Sequence, residues 1–111
     1  MRSKCRTLKT NKITSIDELP QWNFDGSSCY QATTENSEII LKPVSFFRDP
    51  FRQGNNIMVL CETYAWESTE YKKLIPANSN FRQHAKLIFD HKETKDESPW
   101  FGIEQEYTIL E

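Results

Sequence analysis

The sequence of 111 residues has few cysteines and no long hydrophobic run. Cys5, Cys29 and Cys61 are widely spaced and form no C-x-x-C pair, which argues against a disulfide framework. The longest apolar run, residues 57–61, is far shorter than the roughly 18–20 residues of a membrane helix. No hydrophobic segment follows the basic residues near Met1, so no secretory signal is predicted. These absences predict a cytoplasmic protein in a reducing compartment, with no membrane partner.

The sequence also has no excess of basic residues over acidic ones. Asp and Glu number 16 against 14 Lys and Arg, and the formal net charge is −2, which excludes a chain-wide basic surface for nucleic acid. No serine lies in a G-x-S-x-G elbow, and none of the three glycines belongs to a phosphate-binding loop. No cysteine and histidine form an evident nucleophile–base pair. The common hydrolase and nucleotide-loop motifs are therefore absent.

The composition is that of a folded protein. Hydrophobic residues make up 37% of the chain and charged residues 27%, which is typical of a globular domain. The length holds one domain and only a small part of a second. Residues 66–79 are polar and irregular and form the candidate boundary. We therefore predict one domain over residues 1–78 and the start of another over residues 79–111.

The first domain is predicted to consist mostly of strands. Basic residues alternate over residues 1–12, which predicts an exposed strand, although such an arm could also contact phosphates or acidic surfaces. Residues 38–47 are predicted to form a strand in which Pro43 requires an edge position or a bulge. Residues 57–64 predict a strand with apolar residues on both faces, which implies cover on both sides.

The second part is predicted to contain a helix, a loop and a strand. Apolar residues at helical spacing predict a helix over residues 80–92, followed by a charged loop over residues 92–98. Alternation over residues 100–110 predicts the strand. His84 and His91 lie seven positions apart on the predicted helix. A metal pair is conceivable, but solvated helix histidines are the favoured interpretation.

Three carboxylates are candidates for chemistry. Glu104 and Glu106 are two apart on the predicted strand, which puts them on one face at a spacing of roughly 6.5–7 Å. Such a pair suits Mg²⁺ or Mn²⁺, although spacing alone favours a solvent-facing pair. Asp25 lies in an Asp-Gly turn, where it can accept a hydrogen bond from the following backbone and Gly26 can take a positive φ. That turn fits a catalytic carboxylate and equally an ordinary turn.

Three blocks of the sequence resemble eukaryotic-type glutamine synthetases. They are residues 19–28 (LPQWNFDGSS), 47–52 (FRDPFR) and 99–108 (PWFGIEQEYT), and they occur in the family's order and at about its spacing. The opening residues 2–8 (RSKCRTL) also match and are most similar to fungal members. The resemblance covers nearly the whole chain.

The resemblance implies an α+β fold and a ligase activity. It implies a β-grasp amino-terminal domain followed by the first helix and strand of the glutamine synthetase catalytic domain. The family ligates ammonia to L-glutamate with ATP as co-substrate and Mg²⁺ or Mn²⁺ as cofactor, through a γ-glutamyl phosphate. It further implies a homo-oligomer with active sites between subunits.

The resemblance also implies roles for four residues. Asp25 matches the residue that binds ammonium and removes its proton, and Ser28 lines the same pocket. Glu104 and Glu106 match two metal-ligand glutamates, and Glu104 also lies beside the nucleotide phosphates.

Two departures from the family qualify these implications. Residues 29–36 lack the glycines and prolines usual after the Asp25 turn, so we expect a loop of different shape. The residues that complete the metal, glutamate and ATP sites lie beyond Glu111 in the family. The chain is therefore expected to be a fragment of a ligase that is inactive alone. The alternative is a non-catalytic interaction protein or relic that associates with full-length subunits.

Overall fold

Strands in the first part of the chain and helices in the second give an α+β architecture. The computed structural model describes residues 4–9, 12–68 and 73–111. The chain divides into two compact units, Met1–Phe81 and Arg82–Glu111. The elements in chain order are the strands β1 (Trp22–Asp25), β2 (Glu38–Arg48), β3 (Ile57–Trp66) and β4 (Leu74–Pro76) and the helices α1 (Arg82–Phe89) and α2 (Lys92–Glu97), with 3₁₀ turns at Ile16–Glu18 and Ser27–Cys29.

The four strands form one antiparallel sheet in the order β1-β2-β3-β4. In the register of β1 and β2, Phe24 lies opposite Ile39 and Asp25 opposite Glu38. Ile39 is fully buried, with 0% of its surface exposed, and it is the largest such side chain in the described part of the chain. The core of the first unit therefore lies where the end of β1 meets the start of β2.

The two long strands confirm the sequence prediction. The register between β2 and β3 shifts between Pro43 and Ser45, and this bulge is one of the two arrangements, an edge position or a bulge, that were expected for Pro43. Cover on the faces of β3 is incomplete, since most of its side chains are half-buried and Leu60 is 43% exposed.

Two segments of the first unit differ from the prediction. Residues 4–9 form no strand; instead Lys4 Nζ and the Arg6 guanidinium lie 4.4 Å and 4.9 Å from the centre of the Trp22 ring. Cation–π contacts thus hold this part of the arm in place of a strand ladder. Residues 1–3 and 10–11 of the predicted strand lie outside the described residues. The short β4 lies in the segment predicted to be irregular, because Ile75 finds a partner in Ala65 of β3.

In the second unit, the helix predicted over residues 80–92 is present but shorter, as α1. A second helix, α2, forms where a charged loop was predicted over residues 92–98. The ion pair between Lys92 and Asp96, with a nitrogen–oxygen distance of 3.9 Å, is of the kind that supports such a short helix. Residues 100–111 form no strand, because a strand needs a neighbouring strand and this unit has none in its described residues. Within the described ranges, no helix is long and apolar enough to cross a membrane.

Gly26 lies so close to Ile39 that position 26 has no room for a side chain. A Cβ atom there would lie 2.3 Å from Ile39 Cγ1 and 3.2 Å from Ala32 Cβ. The φ of Gly26 is −86°, so the prediction that this glycine supplies a positive φ is wrong. Space, rather than backbone freedom, requires glycine at this position.

We predict that Gly26→Ala lowers the free energy of unfolding of the first unit by about 1–3 kcal/mol, because the added methyl group overpacks a buried contact. Urea unfolding followed by circular dichroism measures this change. Gly102→Ala is the matched control, since a Cβ at Gly102 meets no atom within 4 Å. Equal stabilities of Gly26→Ala and the native chain would contradict the prediction.

Candidate functional site

The carboxylate of Asp25 is fixed at the end of β1 by its own turn. Asp25 Oδ1 accepts hydrogen bonds from the backbone N–H of Ser27 at 2.9 Å and from its hydroxyl at 2.6 Å. The N–H of Gly26 donates to the carbonyl of Ser37 at 2.7 Å, which joins the turn to the residue before β2. The predicted hydrogen bond from the following backbone to Asp25 is therefore confirmed.

Ser28 lies in the middle of the 3₁₀ turn Ser27–Cys29 and is exposed. The carbonyl of Gly26 closes this turn by accepting from the N–H groups of Cys29 at 3.2 Å and Gln31 at 3.0 Å. The structure thus places Ser28 three residues from Asp25 in one continuous turn. Its role in the pocket stays a prediction.

Glu38 lies directly across the sheet from Asp25, and the sequence prediction missed it. Its Oε1 accepts from Asn23 Nδ2 at 2.6 Å and its Oε2 from Trp66 Nε1 at 2.8 Å. Both bonds favour the ionised form, the Trp66 bond more strongly, and they hold the pKa of Glu38 below its ordinary 4.5. The only sequence signal for Glu38 is its position at the start of β2, which becomes informative once the strand register is known.

An open groove runs along this end of the sheet. Lys4 Nζ, which lies over Trp22, also donates to the Asn23 carbonyl at 2.8 Å. Two carboxylates and one ammonium group thus share a solvent-accessible surface, which suits a small polar or cationic ligand. The groove is lined by Lys4, Asn23, Phe24, Asp25, Ser37 and Glu38.

Tyr30, just after the 3₁₀ turn, adopts a backbone conformation that glycine adopts more easily. Its φ is 60° and its ψ 27°, in the left-handed region, and 95% of the residue is exposed. A non-glycine residue there costs roughly 1–2 kcal/mol. The loop over residues 29–36 therefore accommodates the absence of glycine at the cost of local strain, and Gln31 ties it to Ser79 through a side-chain hydrogen bond.

We predict that Tyr30→Gly raises the free energy of unfolding by about 1 kcal/mol, because glycine adopts this φ without strain. Chemical denaturation of the purified chain checks this. Tyr30→Ala separates the backbone effect from the ring, since alanine keeps the strain and removes only an exposed side chain. A Tyr30→Gly chain no more stable than Tyr30→Ala would contradict the prediction.

The block at residues 47–52 forms a turn around Asp49, which sequence reasoning did not single out. Asp49 is buried, with 3% of its surface exposed. Its Oδ1 accepts from the N–H groups of Phe51 at 2.9 Å and Arg52 at 3.0 Å, and its Oδ2 accepts from Arg52 Nη1 at 3.1 Å. These bonds, that from the Arg52 backbone foremost, hold the pKa of Asp49 below 3.8. Asp49 therefore shapes the connection between β2 and β3.

Glu104 and Glu106 lie in the second unit, exposed and outside any helix or strand. The prediction that a strand places them on one face is not met, because that strand is not formed. Within the described ranges, no cluster of three or more His, Cys, Asp or Glu residues is arranged to hold a metal ion. The two glutamates alone therefore do not fit Mg²⁺ or Mn²⁺, which need more oxygen ligands.

The two histidines of the second unit do not lie on one helix. His84 is on α1, which ends at Phe89, whereas His91 immediately precedes α2. His91 Nδ1 lies 3.9 Å from Glu93 Oε2, and both side chains are largely exposed. Both histidines are exposed, as the favoured interpretation expected, but His91 is not on the helix that carries His84.

Comparison with known proteins adds a family relationship. Residues 2–66 match the family profile described as "Glutamine synthetase, beta-Grasp domain". The whole chain is 52% identical to a chloroplastic glutamine synthetase of Brassica napus, 50% to a nodule isozyme of Lupinus angustifolius and 49% to root isozyme 5 of Zea mays. The chain spans 24%, 33% and 29% of the lengths of these relatives, respectively. The predicted β-grasp fold of the first domain is thereby confirmed.

Proposed function

Because this chain belongs to the glutamine synthetase family, we propose that it forms part of an enzyme that ligates ammonia to L-glutamate with ATP. The Asp25 turn is the observation that carries the proposal. It lies within the matched residues 2–66, and its carboxylate is oriented by two hydrogen bonds at the rim of an open groove. A carboxylate held in this way suits the binding of a small cation.

Asp25 has two roles in the proposed reaction. ATP transfers its γ-phosphoryl group to the γ-carboxylate of glutamate and leaves as ADP, and ammonia then attacks the carbonyl carbon of the acyl phosphate and displaces inorganic phosphate. Ammonium has no lone pair for this attack, so a base must remove a proton. Asp25 attracts ammonium as an anion and accepts that proton, while Ser27 holds the carboxylate in place. Ser28, in the same turn, lines the pocket.

Glu104 and Glu106 are proposed to supply two ligands to a Mg²⁺ or Mn²⁺ site, with Glu104 also beside the nucleotide phosphates. The remaining ligands are not among these 111 residues. This proposal is supported by the comparison of lengths, because the chain aligns with only 24–33% of each glutamine synthetase relative and the rest of those relatives can supply further ligands. Bound metal neutralises phosphoryl charge in such reactions.

The proposed enzyme is a cytoplasmic homo-oligomer with each active site between two subunits. Asp25 and the Glu104–Glu106 pair would then serve different sites. The cytoplasmic location is supported by relatives named as cytosolic isozymes in Oryza sativa and Arabidopsis thaliana, although the Brassica napus relative is named as chloroplastic.

We predict that the 111-residue chain alone does not form glutamine, and that it becomes active when it replaces the aligned segment of the Zea mays relative. In that chimera, Asp25→Asn should lower kcat by about 100-fold or more, which is the usual contribution of a general base. Asp17→Asn, in the exposed 3₁₀ turn Ile16–Glu18, is the control and should keep the native rate.

Activity of the isolated chain, or an Asp25→Asn chimera as active as the control, would contradict this account. A folded chimera with no activity would instead support the non-catalytic interaction protein. Steady-state formation of glutamine is the measurement in each case.

A further inference from the structure

We propose that the peptide bond between Asp25 and Gly26 is a modification site, at which isoaspartate forms when the end of β1 separates from the start of β2. It is the only Asp-Gly sequence in the chain. In such a sequence the backbone nitrogen after the aspartate can attack the side-chain carboxyl group, because glycine leaves that nitrogen unshielded and its backbone mobile. This chemistry needs only water and is independent of the activity proposed above.

Two separate features of the fold bring aspartate and glycine together at this turn. Glycine is required at position 26, since a Cβ atom there would lie 2.3 Å from Ile39 Cγ1. The carboxylate of Asp25 organises the turn, since its Oδ1 accepts from both the backbone N–H and the hydroxyl of Ser27. The packing of the core and the hydrogen bonds of the turn thus place an unshielded backbone nitrogen directly after an aspartate.

The modification proceeds in two steps that conserve atoms. The Gly26 nitrogen forms a bond to Asp25 Cγ, while one carboxyl oxygen takes up the amide proton and a solvent proton and leaves as water. The product is a five-membered succinimide ring. Water then adds to the ring: cleavage of the bond from the nitrogen to Cγ restores aspartate, and cleavage of its bond to the main-chain carbonyl carbon of Asp25 gives isoaspartate. The mass of the chain is unchanged.

Hydrogen bonds oppose the first step while the strands are paired. The Gly26 N–H donates to the carbonyl of Ser37 at 2.7 Å, so the attacking nitrogen is tied to the residue before β2, and Gly26 itself is buried. The two bonds from Ser27 hold the Asp25 carboxylate. Ring closure requires these bonds to break, and a buried N–H that loses its partner is costly. The paired strands therefore protect the peptide bond.

The position of β1 in the sheet favours local opening of this protected end. In the described sheet, β1 has only four residues and lies at the edge, beside β2. Short elements at the edge of a fold open at a lower free energy than central strands. Separation of β1 from β2 breaks the bond to Ser37 and frees the Gly26 nitrogen for attack.

Isoaspartate prevents the strands from pairing again as before. It carries the main chain through Cβ and Cγ, which adds about 1.5 Å of chain between residues 25 and 26. The close approach of Gly26 to Ile39 leaves no space for this extra length. The modified chain therefore loses the register in which Phe24 lies opposite Ile39.

The rate of isoaspartate formation in the 111-residue chain tests the proposal. The purified chain and an end-capped peptide of residues 20–28 are incubated side by side in neutral buffer. Isoaspartate at position 25 is measured by mass spectrometry with electron-transfer fragmentation, which distinguishes it from aspartate. We expect the chain to convert roughly tenfold or more slowly than the peptide, because the peptide lacks Ser37 and β2.

Three variants outside residues 20–28 change the opening of the strands without changing the intrinsic chemistry. Ile39→Val removes a buried methyl group beside Gly26 and should speed conversion roughly two- to tenfold. Ile57→Val removes the same group at the far end of the β2–β3 pair and should change the rate by less than about twofold. Tyr30→Gly relieves strain in the connecting loop and should slow conversion roughly two- to fivefold, an effect that misfolding cannot produce.

Slower conversion in the chain than in the peptide supports the proposal when Ile39→Val speeds it, Tyr30→Gly slows it and Ile57→Val leaves it unchanged. Conversion of the native chain at the rate of the peptide would overturn it, because the sheet would then give no protection. Equal acceleration by Ile39→Val and Ile57→Val would also overturn it, because the reaction would then require unfolding of the whole sheet. Absence of isoaspartate at position 25 in Ile39→Val, after the peptide has converted, would have the same meaning for the site.

Discussion

The contact between Gly26 and Ile39 is the constraint on which the candidate site depends. Ile39 is fully buried at the start of β2, and Gly26 lies against it without room for a Cβ. The N–H of Gly26 reaches the carbonyl of Ser37 because the two segments approach so closely. The same approach brings the end of β1 beside the start of β2, so Asp25 lies opposite Glu38. Packing on the core face of the sheet thus determines which two carboxylates lie opposite each other on the polar face.

Because successive side chains of a strand point to opposite faces, the packing of the core face also fixes which residues lie on the polar face. Phe24 and Ile39 are an opposite pair on the core face, and Asp25 and Glu38 are the next pair, on the polar face. A shift of one residue in the register would exchange the faces and bury the carboxylates. Tyr30, in the loop that joins these strands, adopts a left-handed backbone conformation with a φ of 60°, so the connection between the two strands contains local strain.

Local features of the fold could be predicted from the sequence, and long-range features could not. The Asp25 turn and the bulge beside Pro43 follow from the chemistry of single residues, and both were predicted. The position of Glu38 opposite Asp25, which lies 13 residues earlier in the chain, depends on the pairing of β1 with β2. Periodicity within a strand does not reveal that pairing. The strand expected over residues 100–110 failed for the converse reason, because alternation indicates a strand only when a neighbouring strand exists. Turn chemistry and spacing made Asp25, Glu104 and Glu106 candidates, but only the resemblance favoured their functional roles over ordinary structural ones.

A double-mutant cycle between Gly26 and Ile39 tests the central claim most directly. If the close approach is the reason for glycine, removing the Ile39 side chain beyond Cβ should relieve the clash that Gly26→Ala creates. Gly26→Ala should then lower the free energy of unfolding by about 1–3 kcal/mol in the native chain and by less than about 0.5 kcal/mol in the Ile39→Ala chain. An equal loss in both backgrounds would show that the two positions are independent and would contradict the account.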